Sequence, residues 1–383
     1  MDDPEHRTAG RPTVAIGVTQ CWHRVPGGTA TSVLDLVAEL RSSGRVDLVG
    51  VAPRSSAPVP AGLEGVPVRH LPVGLPLLYD AWTWTGRPRW TASVRGADLV
   101  HVTVPVTPPR DRVPMVATVH DVLPLTHPEW FTGRGASLMR RGLASIAERA
   151  DLVLVPSEAT RRECLAHGFD ADRLRVVPWG SRPVAGPSED ETAKVLGRHG
   201  VDGEFLCFVG TAEPRKGLAV LAEALVALGR SDLTLVVAGP TGWGDADAGR
   251  LAGVPGPVVR TGHVDRSELV ALERAAAAVV LPSLAEGFGL PVLESLAAGA
   301  VVVTTGDTAC GEVAGDAALR VPAGDADALA AAIARVLDDP TLAAGLRAAG
   351  PLRAGSFTWS AAADGVLAAY RDVLSGSNAG GRR

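Results

Sequence analysis

Two glutamates frame one stretch: Glu286 lies in a glycine-broken loop and Glu294 in the first turns of the proline-opened helix that follows. The stretch Leu281 to Thr305 reads LPSLAEGFGLPVLESLAAGAVVVTT. The apolar run Ala276 to Leu281 stops at Pro282 and predicts a buried strand, followed by a polar loop from Ser283 to Leu290. Pro291 fits the first helical position, where its missing N–H costs nothing; Gly299 ends the helix, and Val301 to Val303 begin the next strand. The N-terminus of such a helix offers N–H groups and a positive dipole end, which suit a phosphate.

Two cations accompany it. Arg215 and Lys216 lie in the loop GTAEPRKG, Gly210 to Gly217, which follows another apolar strand. Lys194 and Lys216 are the only lysines in a chain that otherwise uses arginine, which suggests a need for a compact ammonium at Lys216. Two cations and a helix N-terminus form a site for a diphosphate. The carboxylates cannot be phosphate ligands, so they are assigned to sugar hydroxyls: Glu294 to a ribose, Glu286 to a hexose. A nucleoside diphosphate sugar satisfies all four groups, whereas a plain nucleotide leaves Glu286 without a role. Asp245-Ala-Asp247 and Asp325-Ala-Asp327 have D-x-D metal spacing but lie in Ala/Asp-rich stretches; they read as surface loops, and no metal ligand is assigned.

The elements that must position these groups follow from the pattern. Apolar strands alternate with helices from Thr13 to Val177, the pattern weakens over GSRPVAGPSEDE (Gly180 to Glu191), and it restarts at Leu206. The expected fold class is α/β: two Rossmann-like, doubly wound domains facing across a cleft. The first spans 12–183, a linker 184–190, the second 191–355, and a C-terminal helix 356–375 that packs back on the first domain. Ligands of such sheets lie beyond the carboxyl ends of the strands. His120, ending the apolar run Met115 to Val119, therefore reads as a site residue of the first domain.

With 383 residues and a net charge of −5, the chain has room for two cores and lacks the basic balance of a nucleic-acid binder. Cys21, Cys164, Cys207 and Cys310 form no C-x-x-C pair and read as buried thiols, which fits a cytoplasmic protein. The N-terminus has no signal-peptide core, and no run is apolar enough to span a membrane. Trp82, Trp84 and Trp90, with Arg87 and Arg89, suit either core packing or contact with sugars or a membrane surface. The helix Ser137 to Arg149, with Arg134, Arg140 and Arg141 near its start, leaves the same choice between packing and lipid.

EGFGLPVLE, with its E-x(7)-E spacing, resembles the donor-site motif of the retaining family 4 (group 1) glycosyltransferases of GT-B fold. GTAEPRKGL, LVVAGPTGWG, RTGHVDRSELVAL and EVAGDAAL are similar to the family's successive C-terminal segments; ATVHDVLPL, VPSEATRRECLAHG and RVVPWG match it in order in the first half. The resemblance implies a retaining, metal-independent hexosyltransferase with no cofactor beyond its substrate. Its donor would be a GDP- or UDP-linked sugar; the EPRKG form leans towards GDP-mannose. It implies catalytic roles for His120, Glu286, Lys216 and Arg215. Donor contacts would come from Gly28, Gly210, Thr211, Pro240, His263, Val264, Gly287, Phe288, Gly289, Leu290 and Glu294. His263 itself reads as structural, with its backbone near the base, and the loop at Gly27 and Gly28 would approach the phosphates. Thr211 departs from the family, many of whose members carry arginine there, and Arg215 is assigned the second positive charge. The implied acceptor is a sugar, glycolipid or small molecule, with peripheral contact at the inner membrane face allowed. Two other readings share the fold: a sugar-nucleotide epimerase, and a non-catalytic sugar-nucleotide or glycan-binding subunit.

Overall fold

The structure, a computed structural model, describes all residues except 1–9, 24–26, 107, 109–112, 183, 241–248, 250 and 381–383, together with the side chains of 91, 92 and 377–380. The chain divides into two compact units: Met1–Gly180 with Trp359–Arg383, and Ser181–Thr358.

In the first unit, seven strands form one parallel sheet: β1 (Thr13–Gly17), β2 (Asp47–Ala52), β3 (Val68–His70), β4 (Leu99–Val102), β5 (Met115–Thr118), β6 (Leu152–Val155) and β7 (Leu174–Val176). Their order is β3-β2-β1-β4-β5-β6-β7. Because helices cover both faces of a parallel sheet, the central strands read as unbroken apolar runs rather than alternating ones. Val14 and Ile16 face a core with Val33, Val37 and Leu40 of the helix Gly27–Ser42, and with Trp359, Ala362, Val366 and Tyr370 of the helix Trp359–Gly380. The opposite face packs Ala15, Val100 and Val102 against Trp82, Trp90, Leu143 and Ile146. Buried His101 on β4 joins Tyr370 Oη through Nδ1 at 2.6 Å and Thr118 Oγ1 through Nε2 at 2.8 Å, which ties the C-terminal helix to the sheet.

Two expectations are corrected here, at Gly27 and Gly28 and within the linker, and the open choice over the tryptophans is resolved. Gly27 and Gly28 are not loop residues: they form the first turn of the helix Gly27–Ser42, whose buried apolar stripe outweighs the low helix propensity of glycine. Trp82 and Trp90 are core residues, whereas Trp84 is 73% exposed with the Arg141 guanidinium 5.0 Å above its ring. Within GSRPVAGPSEDE a helix already begins. The Ser188 hydroxyl accepts from Glu191 N–H, and the Glu191 carboxylate accepts from Ser188 N–H, a capping box that starts Glu189–His199.

The second unit holds a six-stranded parallel sheet: β8 (Phe205–Val209), β9 (Thr234–Ala238), β10 (Val258–Gly262), β11 (Ala278–Leu281), β12 (Val302–Thr305) and β13 (Leu319–Val321). Its order is β10-β9-β8-β11-β12-β13, so strand order reverses between β8 and β11, where Cys207 stands opposite Val279. Loops that leave adjacent strands at such a reversal diverge to opposite faces and open a crevice at the carboxyl edge. The two loops in question are Gly210 to Gly217 and Pro282 to Gly289, the two that carry the candidate charges. All four cysteines are buried and free.

Candidate functional site

Backbone contact locks the two charged loops together. Leu284 N–H donates to Arg215 C=O at 2.7 Å. Gly217 sits at φ +72°, and a Cβ there would lie 2.0 Å from the Pro282 carbonyl oxygen, so only glycine fits. The buried hydroxyls of Thr304 and Thr305, at the end of β12, donate to the carbonyls of Leu281 and Ser283 at 2.8 and 2.9 Å. These two threonines brace the start of the glutamate loop. Only the three-dimensional pairing of β11 with β12 reveals their role.

On this frame the side chains converge. Arg215 Nη1 donates to Glu286 Oε2 at 2.9 Å, Lys216 Nζ pairs with Glu286 Oε1, and Ser283 Oγ donates to the same Oε1 at 3.2 Å. Arg215 Nε also donates to Glu213 Oε2 at 2.8 Å. The side chains of Lys216 and Glu286 are 10% and 11% exposed, and Arg215 is 26% exposed. Burial alone would raise the Glu286 pKa, but Lys216 and Arg215 more than offset it and hold the carboxyl below its usual range. The two cations and the glutamate are thus brought together, as neighbours of one another: Glu286 pairs with both of the charges expected to face a diphosphate.

Gly287, Phe288 and Gly289 carry the chain from Glu286 into the helix Leu290–Ala297. Gly289, at φ +100°, passes the Cys310 backbone so closely that an added Cβ would lie 3.2 Å from Cys310 Cα. Phe288 is buried against Phe357. Pro291 sits in the first turn, whose N–H groups have no acceptor within the helix. Glu294 lies in the next turn, beyond the reach of an ordinary first-turn dipole preference. Its Oε1 accepts from Arg266 Nη1 at 2.8 Å, a cation with no role in the sequence reading. Arg266 opens the helix Arg266–Ala275, capped by Asp265.

The remaining candidates are placed as follows. Gly210, at φ +146°, directly follows β8 and donates its N–H to Ala238 C=O; Gly239 passes it so tightly that a Cβ would meet Gly210 O at 2.2 Å. Thr211 is half-buried, and its carbonyl accepts from Glu213 N–H. Pro240 is exposed, its carbonyl facing Ala212 N–H at 3.4 Å. The rest of the GPTGWG loop, 241–244, and Asp245-Ala-Asp247 lie outside the described residues. Asp325 is the cap of the helix Ala326–Asp338, which gives that D-x-D pair a structural use. Among the described residues, no three His, Cys, Asp or Glu side chains are grouped to hold a metal ion. His263 is exposed and Val264 half-buried in the turn after β10.

His120 and Gly28 belong to the first unit and are not part of this cluster. Gly28 is exposed. His120 follows β5, with Nε2 bonded to Thr103 C=O at 2.8 Å and its ring 5.1 Å from that of Trp179. Its Nδ1 is buried without a hydrogen-bond partner. Burial holds its pKa down at about 4, so the ring is neutral at pH 7. It lines a mostly apolar pocket with Ser32, Thr118, Trp179 and Trp359.

Two Rossmann-like units, one carrying a cation–carboxylate cluster beside a helix N-terminus, define a protein of the GT-B class. Residues 26–181 match the family model for Glycosyltransferase Family 4, and residues 203–339 that for Glycosyl transferases group 1. The O-antigen chain mannosyltransferase B of Escherichia coli is 31% identical over 67% of this chain and 70% of its own. A D-inositol 3-phosphate glycosyltransferase of Kineococcus radiotolerans is 31% identical over 91% of each chain. The fold is that of Anabaena HepE, solved with UDP and glucose: TM-score 0.75 at 17% identity, covering 94% of this chain and all of that one. The chain belongs to the group 1, family 4 glycosyltransferases, and it is a glycosyltransferase. No helix among the described residues is long and apolar enough to cross a membrane.

Proposed function

We propose that the protein transfers a hexose from a nucleoside diphosphate sugar to an acceptor hydroxyl with retention of anomeric configuration. The observation that carries this reading is the Arg215–Lys216–Glu286 cluster at the strand-order reversal, beside the N-terminus of Leu290–Ala297. The cations and the helix end take the diphosphate, Glu286 turns to the hexose hydroxyls, and Glu294 leaves Arg266 for the ribose. Gly210, Thr211, Pro240, His263, Val264 and Gly287 to Leu290 line the donor, and Gly28 and His120 contribute from the first unit. In the reaction the C1–O bond to the diphosphate breaks and a C1–O bond to the acceptor forms on the same face. The acceptor proton passes to the departing diphosphate oxygen. Arg215, Lys216 and the helix dipole stabilise the charge that develops there, without need of a metal or other cofactor. Neither Glu286, bound to two cations, nor Glu294 is placed as the catalytic base.

A GDP- or UDP-linked donor is the reading: UDP in the HepE structure supports a nucleoside diphosphate, and the name of the E. coli relative supports a mannosyl group. Mannose is the favoured sugar, on the EPRKG form of the first loop. A sugar, glycolipid or small molecule accepts it in the cytoplasm, and exposed Trp84 and Arg141 suit peripheral contact at the inner membrane face. The decisive experiment is a thermal-shift panel of UDP-, GDP-, ADP- and dTDP-sugars on the wild type and Lys216→Ala. A shift in the wild type that Lys216→Ala loses is expected; no shift with any of the four sinks the donor-site reading.

A further inference from the structure

Glu286 holds the two cations that the donor-site reading assigns to the diphosphate. Its side chain is about nine-tenths buried, and its partners are Arg215, Lys216 and the Ser283 hydroxyl. In the donor-site reading an incoming diphosphate draws both cations to itself, which leaves a buried carboxylate with the Ser283 hydroxyl as its remaining donor. A buried charge stripped of its partner is strongly destabilising, whereas fresh hydrogen-bond donors largely offset the loss. A sugar-bearing donor brings such donors, its hexose hydroxyls. The free nucleoside diphosphate, which is what transfer leaves behind, lacks them, and its ribose hydroxyls are assigned to Glu294. Arg215 does not have to be re-sited for the exchange, because Glu213 holds its Nε at 2.8 Å while Nη1 changes partner.

We propose that Glu286 sets a preference of the site for the sugar-bearing donor over the free nucleoside diphosphate: carboxylate and diphosphate compete for Arg215 and Lys216, and only a hexose compensates the carboxylate. This rests on the donor-site reading above and adds a prediction that a plain ligand role does not make. A residue that merely binds the hexose weakens the sugar nucleotide when it is replaced and leaves the free nucleoside diphosphate unchanged. Replacing Glu286 strengthens binding of that diphosphate. The same competition speeds release of the spent diphosphate after transfer, since Glu286 is ready to reclaim its cations.

The test is calorimetric titration of wild type and Glu286→Gln with UDP, GDP, ADP and dTDP, and with the corresponding sugar nucleotides. Glutamine keeps the shape and removes the competing charge. Glu286→Gln is expected to bind the preferred free nucleoside diphosphate about tenfold tighter than the wild type. It binds the sugar nucleotide no tighter than the wild type, so the preference collapses. If the wild type binds a nucleoside diphosphate and Glu286→Gln binds it equally or more weakly, the inference is overturned while the donor site stands. If the wild type binds none of these ligands, both are overturned. Should Glu286→Gln fail to give a cooperative melt, Glu286→Asp replaces it. Its shorter reach cannot hold both cations, so it too must bind the free diphosphate more tightly than the wild type, and failure to do so counts against the inference.

Discussion

Glu273 offers the sharpest quantitative test of the second unit. It lies on the helix Arg266–Ala275, is 2% exposed, and its Oε1 accepts from Ser295 Oγ at 2.7 Å. No cation reaches it at ion-pair distance among the described residues. Burial drives its pKa up to about 8; the Ser295 hydrogen bond and Arg266 pull it down, and the nearby charge of Glu294 pushes it further up. Cys207, on β8, also feels its charge. In the unfolded chain the group titrates near 4.5. Between these two values the folded state therefore holds a proton that the unfolded state has lost. Stability then falls as pH rises, by about 1.4 kcal/mol per pH unit, accumulating to on the order of 5 kcal/mol by the upper value. Glu273→Gln has the shape of the protonated acid and does not titrate. Urea unfolding of both proteins from about pH 5 to about pH 9 should show the wild type losing ground to the variant across this window. The two should run parallel above it. Parallel stability curves throughout would refute the reasoning, because they would mean that Glu273 carries its charge in the folded state as readily as in water.

Gly217→Ala forces a Cβ to 2.0 Å from the Pro282 oxygen at a left-handed φ, and should lower stability by at least about 2 kcal/mol while weakening donor binding; unchanged urea midpoint and donor affinity would refute it. Tyr370→Phe leaves buried His101 Nδ1 without a partner and should cost about 1–3 kcal/mol, read by chemical denaturation. His101 and His120 are held neutral by burial, with pKa values down at about 3 and about 4 against 6.5 when unfolded. Below that upper value the unfolded chain takes up protons that the folded one refuses, so stability should fall as pH drops from about 6.5 towards 4, by up to about 1.4 kcal/mol per unit for each ring; melting curves flat across that range would contradict it.

The strand–loop–helix from Ala278 to Ala297 could be read from the sequence, because its signals are local: an apolar run, proline at a helix start, glycine where the backbone turns left-handed. The alternation that predicts two parallel sheets is local in the same way, since strands buried on both faces must be apolar throughout. The capping box at Ser188 and Glu191 was equally local, but a run of proline, glycine and acidic residues hid it. Gly28 shows the opposite case, a residue whose own propensity says loop and whose helix is settled by burial further along.

The sequence by itself determined which residues supply charge to the candidate site and which loops carry them: Arg215 and Lys216 after one strand, Glu286 and Glu294 after another. Only the tertiary structure decided how those charges are spent. That Glu286 holds both cations, that Glu294 holds Arg266, that Thr304 and Thr305 brace the loop, and that Glu273 is buried against Ser295 all depend on contacts between segments far apart in the chain. Such contacts follow from strand order and side-chain packing, which no local pattern of residues encodes.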